Sequence, residues 1–90
     1  METAEYRAAV RTINYLVITM RLLAYENADA ALMAALLDET HYCLVLLENQ
    51  AEFEEGWRDH LEGMVTRHPE QFGGVVNRFE QILATENAKQ

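Results

Sequence analysis

The chain has 90 residues, half of them hydrophobic, with one proline and four glycines. This length allows one domain at most, and the scarcity of turn-forming residues argues against a many-stranded β fold. The net charge of −8 disfavours direct binding to nucleic acid or to an anionic membrane, because both recruit basic proteins.

The cysteine content and the apolar runs bear on where the protein works. Cys43 is the only cysteine, which excludes an internal disulfide. The N-terminal residues lack the basic region and apolar stretch of a secretory signal. The most apolar run, residues 30–37, is far shorter than the ~20 residues of a membrane span. We therefore expect a cytoplasmic protein.

The first predicted element is a helix over residues 3–25, with Thr3 as its N-cap. Its apolar face has spacings of three and four and comprises Tyr6, Ala9, Val10, Ile13, Leu16, Val17, Met20, Leu23 and Ala24. Four further apolar side chains lie outside this face: Tyr15, Ile18, Leu22 and Tyr25. We therefore expect this helix to contact neighbours on two sides.

The middle of the chain contains several apolar segments. Residues 26–29 form a break in which Asn27 and Asp29 both suit the cap of a following helix. Residues 30–37 are apolar on every side, which predicts burial in a bundle or in an oligomer interface. Residues 38–40 are either one polar turn of a continuous helix or a short connection. From residue 41 the helical spacing runs to about residue 67, across two glycines that permit close packing or end a helix.

The last predicted helix begins at Pro69, because proline suits the first helical turn. Its apolar spacing runs to about Thr85 and places Gly73 and Gly74 inside the helix or at its start. Residues 86–90 are predicted to be a frayed polar tail. The sequence therefore predicts a single all-α domain, a small up-and-down bundle of three to four helices.

Charge is distributed unevenly along the chain. Between Glu26 and Glu62 there are ten acids and one base, whereas the remainder has five acids and six bases. Five of the acids are spaced four, three, four and three residues apart: Glu48, Glu52, Glu55, Asp59 and Glu62. On one continuous helix they would form a row that attracts a basic partner. The alternative interpretation is a solvated face that keeps a small protein soluble.

No motif of a catalytic, cofactor or metal site is present. Asp38 and His41 have the spacing of a carboxylate–histidine metal pair, but a second such pair is missing. Cys43 lies in an apolar run and is predicted to be a core residue. There is no serine and no phosphate-binding glycine loop. We expect no catalytic residue, no cofactor and no bound metal.

These observations favour a small acidic helical protein-interaction module, such as an adaptor, an inhibitor or a nucleic-acid-mimicking antagonist. It would bind a basic protein through the acidic row. The alternative is a structural homodimer whose core includes residues 30–37 and the surplus apolar residues of the first helix. A metal-binding bundle is a third hypothesis. Trp57 is predicted to lie in the core, and three tyrosines are predicted to be exposed or interfacial: Tyr15, Tyr25 and Tyr42.

Overall fold

A computed structural model of the chain describes residues 3–26 and 29–89, and it shows four long helices and a one-turn helix. The helices are α1 (Ala4–Tyr25), α2 (Ala30–Leu47), α3 (Gln50–Arg67), α4 (Pro69–Phe72) and α5 (Val75–Ala88). No strand occurs within the described residues. The predicted all-α fold is confirmed.

Side-chain caps determine where the first two helices begin. Thr3 accepts a hydrogen bond from the backbone N–H of Tyr6 at 3.0 Å, and Asp29 accepts one from the N–H of Leu32 at 3.0 Å. Each cap satisfies a backbone donor that has no partner within its helix. Both predicted caps are confirmed, whereas the third candidate, Asn27, lies outside the described residues.

The break between α2 and α3 falls where the sequence pattern predicted continuity. α2 runs without interruption through residues 38–40 and ends at Leu47, with Glu48 as its C-cap. Asn49 has φ −133° and ψ 114°, which leaves helical geometry, and its side chain caps α3 by accepting a hydrogen bond from the N–H of Glu52 at 3.1 Å. The helical spacing that runs from residue 41 to about residue 67 therefore covers parts of two helices.

Gly73 and Gly74 form a turn between α4 and α5, and Gly74 is the N-cap of α5. Of the two predicted alternatives, the glycines therefore lie at the start of the last long helix and not inside it. A Cβ at Gly73 would lie 2.5 Å from the carbonyl oxygen of Pro69, and a backbone atom cannot easily move away. A side chain at position 73 would therefore strain this turn. The apolar spacing continues across the turn because Phe72 and Val75 both face the core. The sequence pattern therefore shows no sign of the turn.

The four long helices form a closed ring in which α1 contacts α2 and α5, and α3 contacts the same two helices. This arrangement fits the predicted up-and-down bundle. Trp57 lies fully buried at its centre, as predicted, with its ring 5.4 Å from that of Phe53 and 5.8 Å from that of Phe79. These three aromatic side chains join α3 to α5.

The end of α5 differs from the predicted polar tail over residues 86–90. The helix extends through Ala88, and the side chain of Glu86 is only 7 % exposed. Its carboxylate accepts hydrogen bonds from Arg11 at 3.0 Å and from Arg7 at 3.2 Å, both on α1. These two hydrogen bonds lower the pKa of Glu86 from its ordinary value. The sequence could not show that two arginines of α1 lie beside this carboxylate.

Candidate protein-interaction surfaces

Four acids lie on the side of α3 that points away from the core. An α-helix turns by about 100° per residue, so these four positions share a sector opposite to the buried Phe53, Trp57 and Leu61. All four are exposed, and we call them the acidic face: Glu52, Glu55, Asp59 and Glu62. Gly56 and Gly63 lie inside α3 and do not interrupt it, so the sector is continuous.

Glu48, the first member of the predicted row, is not part of the acidic face. It caps the C-terminus of α2, and Asn49 separates it from α3. It is exposed. The predicted row of five therefore reduces to four on one helix, because the spacing pattern passes through the break without a change. A role for Glu48 in partner binding stays a prediction.

The bases around α3 pair with acids outside the acidic face. Arg58, the only base in the acidic segment, donates a hydrogen bond to Glu5 of α1 at 3.0 Å and pairs with Glu80 of α5. Arg67 donates two hydrogen bonds to Glu39 of α2, at 2.8 and 3.0 Å. Within residues 3–26 and 29–89, no ion pair includes a carboxylate of the acidic face.

A shallow groove of about 550 Å³ borders the acidic face between α2 and α3. Carboxylates stand on both of its sides, Asp38 on α2 and Asp59 on α3. His60 lies in the groove, where its Nε2 is 2.9 Å from the backbone oxygen of Glu39 and its ring centroid is 4.6 Å from that of Tyr42. Arg67, which pairs with Glu39, also lines the groove, so the groove carries charges of both signs.

A second surface of the bundle is apolar. Among the described residues, the exposed large hydrophobic side chains all belong to α1 and α2: Val10, Val17, Ile18, Leu22, Tyr25, Leu37, Tyr42, Leu44 and Val45. The surplus apolar side chains of the first helix are therefore mostly exposed, although Tyr15 is half-buried. Exposed apolar surface of this kind is typical of an interaction site.

Burial on this side differs from the sequence prediction at two places. Only Leu36 is fully buried among residues 30–37, so the segment does not lie at the centre of the single-chain bundle, and burial in an oligomer interface stays a prediction. Val10 and Val17 were predicted to belong to the buried face of α1 but are exposed. In α2 nearly every position is apolar, so the sequence carries no signal for the side that turns inward. The seven-residue spacing of Leu37 and Leu44 could have indicated a second apolar side.

α2 has the length and the apolar composition of a membrane-spanning helix. Among the helices of the described residues, it alone is long and apolar enough to cross a bilayer, with a mean hydropathy of 1.5 over Ala30–Leu47. Of this stretch, 22 % is buried in the bundle. Core helices of soluble proteins and signal sequences share this length and composition.

Chemically reactive side chains are dispersed. Within the described residues, no group of three or more His, Cys, Asp or Glu side chains is placed to hold a metal ion. Asp38 and His41 are both exposed. Cys43 is fully buried, as predicted, with its Sγ 3.8 Å from the sulfur of Met64. Burial raises the pKa of the Cys43 thiol to about 12, which keeps it in the unreactive protonated form.

No protein-family model, no curated protein and no solved structure matches this chain. Two surfaces of the molecule therefore bear on its function, the acidic face of α3 and the apolar side of α1 and α2. Both are built from exposed side chains on regular helices, and rigid helices suit the binding of a partner.

Proposed function

We propose that this protein is an interaction module that binds a basic protein partner through the acidic face of α3, acts in the cytoplasm and has no catalytic role. One observation carries the proposal. Four exposed carboxylates share one side of a helix, and none has a cationic partner within residues 3–26 and 29–89. An adaptor, an inhibitor or a nucleic-acid-mimicking antagonist would use such a face.

The acidic face has an energetic cost for α3. Like charges three or four residues apart destabilise a helix by a few tenths of a kcal/mol per pair. The acidic face contains three such neighbouring pairs, and internal bases do not relieve them. A basic partner would remove this repulsion and would be attracted over about 8 Å at physiological salt. Electrostatic attraction of this kind mainly raises the rate of association and the specificity.

The opposing interpretation is a face that only keeps the protein soluble, and a matched pair of variants tests it. The first variant carries Glu52→Lys, Glu55→Lys and Asp59→Lys on the acidic face. The second carries Lys at three exposed acids elsewhere: Glu26, Glu54 and Glu70. Both variants change the net charge from −8 to −2. The probe is a fluorescent lysine-rich peptide, titrated at physiological salt.

We expect the acidic-face variant to lose at least about tenfold more affinity for the peptide than the second variant, in which the three lysines lie elsewhere. A tenfold difference corresponds to ~1.4 kcal/mol of binding free energy. Circular dichroism should show equal helicity in both. Equal losses in the two variants would mean that only net charge matters, and the proposal would be rejected. Affinity capture with the wild type beside the acidic-face variant then identifies the natural partner.

A second candidate function, a structural homodimer, is favoured by a separate observation. The exposed large hydrophobic side chains of the described residues lie on α1 and α2, on surface that the bundle leaves uncovered. This candidate does not compete with the first, because the acidic face lies on α3. The two surfaces can be tested with separate variants.

A further inference from the structure

A pocket of about 580 Å³ opens at one end of the bundle, where α1 begins, α2 ends and α3 begins. Each of these helices contributes one apolar side chain to its lining: Tyr6, Leu47 and Phe53. Phe53 is buried and the other two are half-buried. The rings of Tyr6 and Phe53 meet edge to face, with their centroids 5.6 Å apart. We call this site the end pocket, and its volume lies within the ~300–1,000 Å³ that is usual for ligand pockets.

Three carboxylates also line the end pocket: Glu5, Glu48 and Glu54. Arg58 donates a hydrogen bond to Glu5 at 3.0 Å and neutralises it. Glu54 accepts a hydrogen bond from the neutral side-chain amide of Gln50 at 3.0 Å. Among the described residues, no ion pair includes Glu48 or Glu54, and no lysine or arginine lines the pocket. The end pocket therefore carries two carboxylates that no internal base compensates.

The helix ends at this site do not reverse the sign of its charge. The first turns of α1 and α3 bring partial positive charge, and the last turn of α2 brings partial negative charge. Each end is equivalent to about half an elementary charge, so the three together leave about half a positive charge. Either uncompensated carboxylate alone carries more than that. The end pocket is therefore negative, and it combines this charge with aromatic and aliphatic surface.

This combination is complementary to an arginine side chain. The guanidinium group is planar and weakly hydrated, stacks on aromatic rings and forms paired hydrogen bonds with carboxylates. A lysine ammonium group is strongly hydrated and lacks the planar geometry. Arg58 shows the same combination within the bundle, because its Cζ lies 5.2 Å from the centroid of the Phe79 ring while it pairs with Glu5 and Glu80.

We propose that the end pocket binds an arginine side chain of the basic partner, an inference that rests on the proposed function because the partner is the same. The methylene groups of this arginine pack on Tyr6 and Phe53, and Glu48 and Glu54 neutralise its guanidinium group. The acidic face begins at Glu52, in the same first turn of α3 that lines the pocket. A basic segment bound along the acidic face therefore reaches the pocket at its end.

Nuclear magnetic resonance of the isotopically labelled full chain tests where arginine binds. The probe is an arginine with an acetyl group at its N-terminus and an amide at its C-terminus, and the matched probe is a lysine capped in the same way. We expect the capped arginine to shift the backbone amides at the start of α1 and over residues 47–54. The amides around Glu62, at the other end of α3, should not move. The capped lysine should bind several-fold more weakly, because it has the charge without the planar group.

A matched pair of variants tests the two carboxylates. Glu48→Gln/Glu54→Gln removes both charges and keeps the size of the side chains. Glu26→Gln/Glu70→Gln removes two exposed carboxylates elsewhere. Both variants change the net charge from −8 to −6. We expect the first variant to bind the capped arginine several-fold more weakly than the second, with equal helicity by circular dichroism.

A bulky side chain at the rim offers a second test that leaves the carboxylates in place. Gln50 lines the end pocket, whereas the neighbouring Ala51 does not, and both are exposed. Gln50→Trp should fill part of the pocket and weaken binding of the capped arginine several-fold. Ala51→Trp introduces the same side chain outside the pocket and should bind the capped arginine as the wild type does.

Four outcomes would overturn the inference. Shifts along the acidic face without shifts at the end pocket would place the arginine elsewhere. Equal binding of the capped lysine would show that only charge matters. Tighter binding of spermidine at the pocket would identify a free polyamine as its ligand. Shifts at the pocket that depend on protein concentration, without any probe, would show that a second copy of the chain covers it.

The two proposals can fail separately. The acidic-face variant keeps both pocket carboxylates and should still shift its pocket amides with the capped arginine. Glu48→Gln/Glu54→Gln keeps the acidic face and should retain most of its affinity for the lysine-rich peptide. Loss of the peptide discrimination alone would reject the acidic face, whereas loss of the pocket shifts alone would reject the arginine site.

Discussion

Leu36 and Leu37 are adjacent residues of the same type, but the structure gives them opposite environments. Leu36 is fully buried and Leu37 is 51 % exposed. Truncating a buried leucine to alanine costs about 2.7–5 kcal/mol, because transfer energy is lost and a cavity is left. We therefore expect Leu36→Ala to lower the free energy of unfolding by about 3 kcal/mol. Leu37→Ala should cost below about 1 kcal/mol, since its side chain is already half in water.

The loss at Leu36 is a large fraction of the ~5–10 kcal/mol that holds a domain of this size together. It should lower the Tm by roughly 12–24 °C. Fluorescence of Trp57, the only tryptophan and fully buried, follows unfolding in urea. The samples are diluted until sedimentation shows a monomer, so that self-association does not add to stability. Equal losses for the two variants would refute the orientation of α2 in which Leu36 faces the core and Leu37 faces solvent.

Three further predictions concern other parts of the chain. Cys43 should not react with a thiol reagent in the native protein, because burial raises its pKa to about 12, and it should react at the rate of unfolding in urea. Gly73→Ala should lower the free energy of unfolding by about 1–3 kcal/mol because its Cβ would meet a carbonyl oxygen at 2.5 Å. The control Gly74→Ala should be tolerated, since its Cβ has only ordinary contact and its φ is −93°. Hydrogen bonds from Arg11 and Arg7 lower the pKa of Glu86 on folding from its ordinary value. Its stabilising contribution is therefore present above that ordinary pKa and lost as the pH falls through the lower pKa of the folded state. Glu86→Gln should reduce the acid dependence of stability in a series of urea titrations, and Glu70→Gln, at an exposed position, is the control.

The sequence predicted the elements that have local signals. Thr3, Asp29 and Pro69 each mark a helix start through a side chain or ring that acts within one turn, and all three predictions are confirmed. The break before α3 was missed because apolar residues keep helical spacing across it. Asn49 was the only signal there, and an asparagine in that position can also lie within a helix.

The candidate surfaces were predictable in part. The acids of α3 follow from spacing alone, because positions three and four apart share a side of any helix. Their lack of internal partners did not follow, since it depends on Arg58 reaching across to Glu5 and Glu80. The apolar side of α2 did not follow either. When a helix is apolar all round, only contacts with its neighbours decide which side is inside, and those contacts are tertiary.

The salt links of Glu86 also bear on how the bundle folds. They join α5 to arginines 75 and 79 positions earlier in the chain, so the first and last helices are direct neighbours in the ring. Such distant pairing raises the contact order and slows folding relative to a linear helical array. During synthesis on the ribosome, the side of α1 that packs on α5 stays uncovered until α5 emerges. Chaperones that hold nascent chains would find their substrate in this interval, and a ribosome stalled before α5 would release an aggregation-prone fragment.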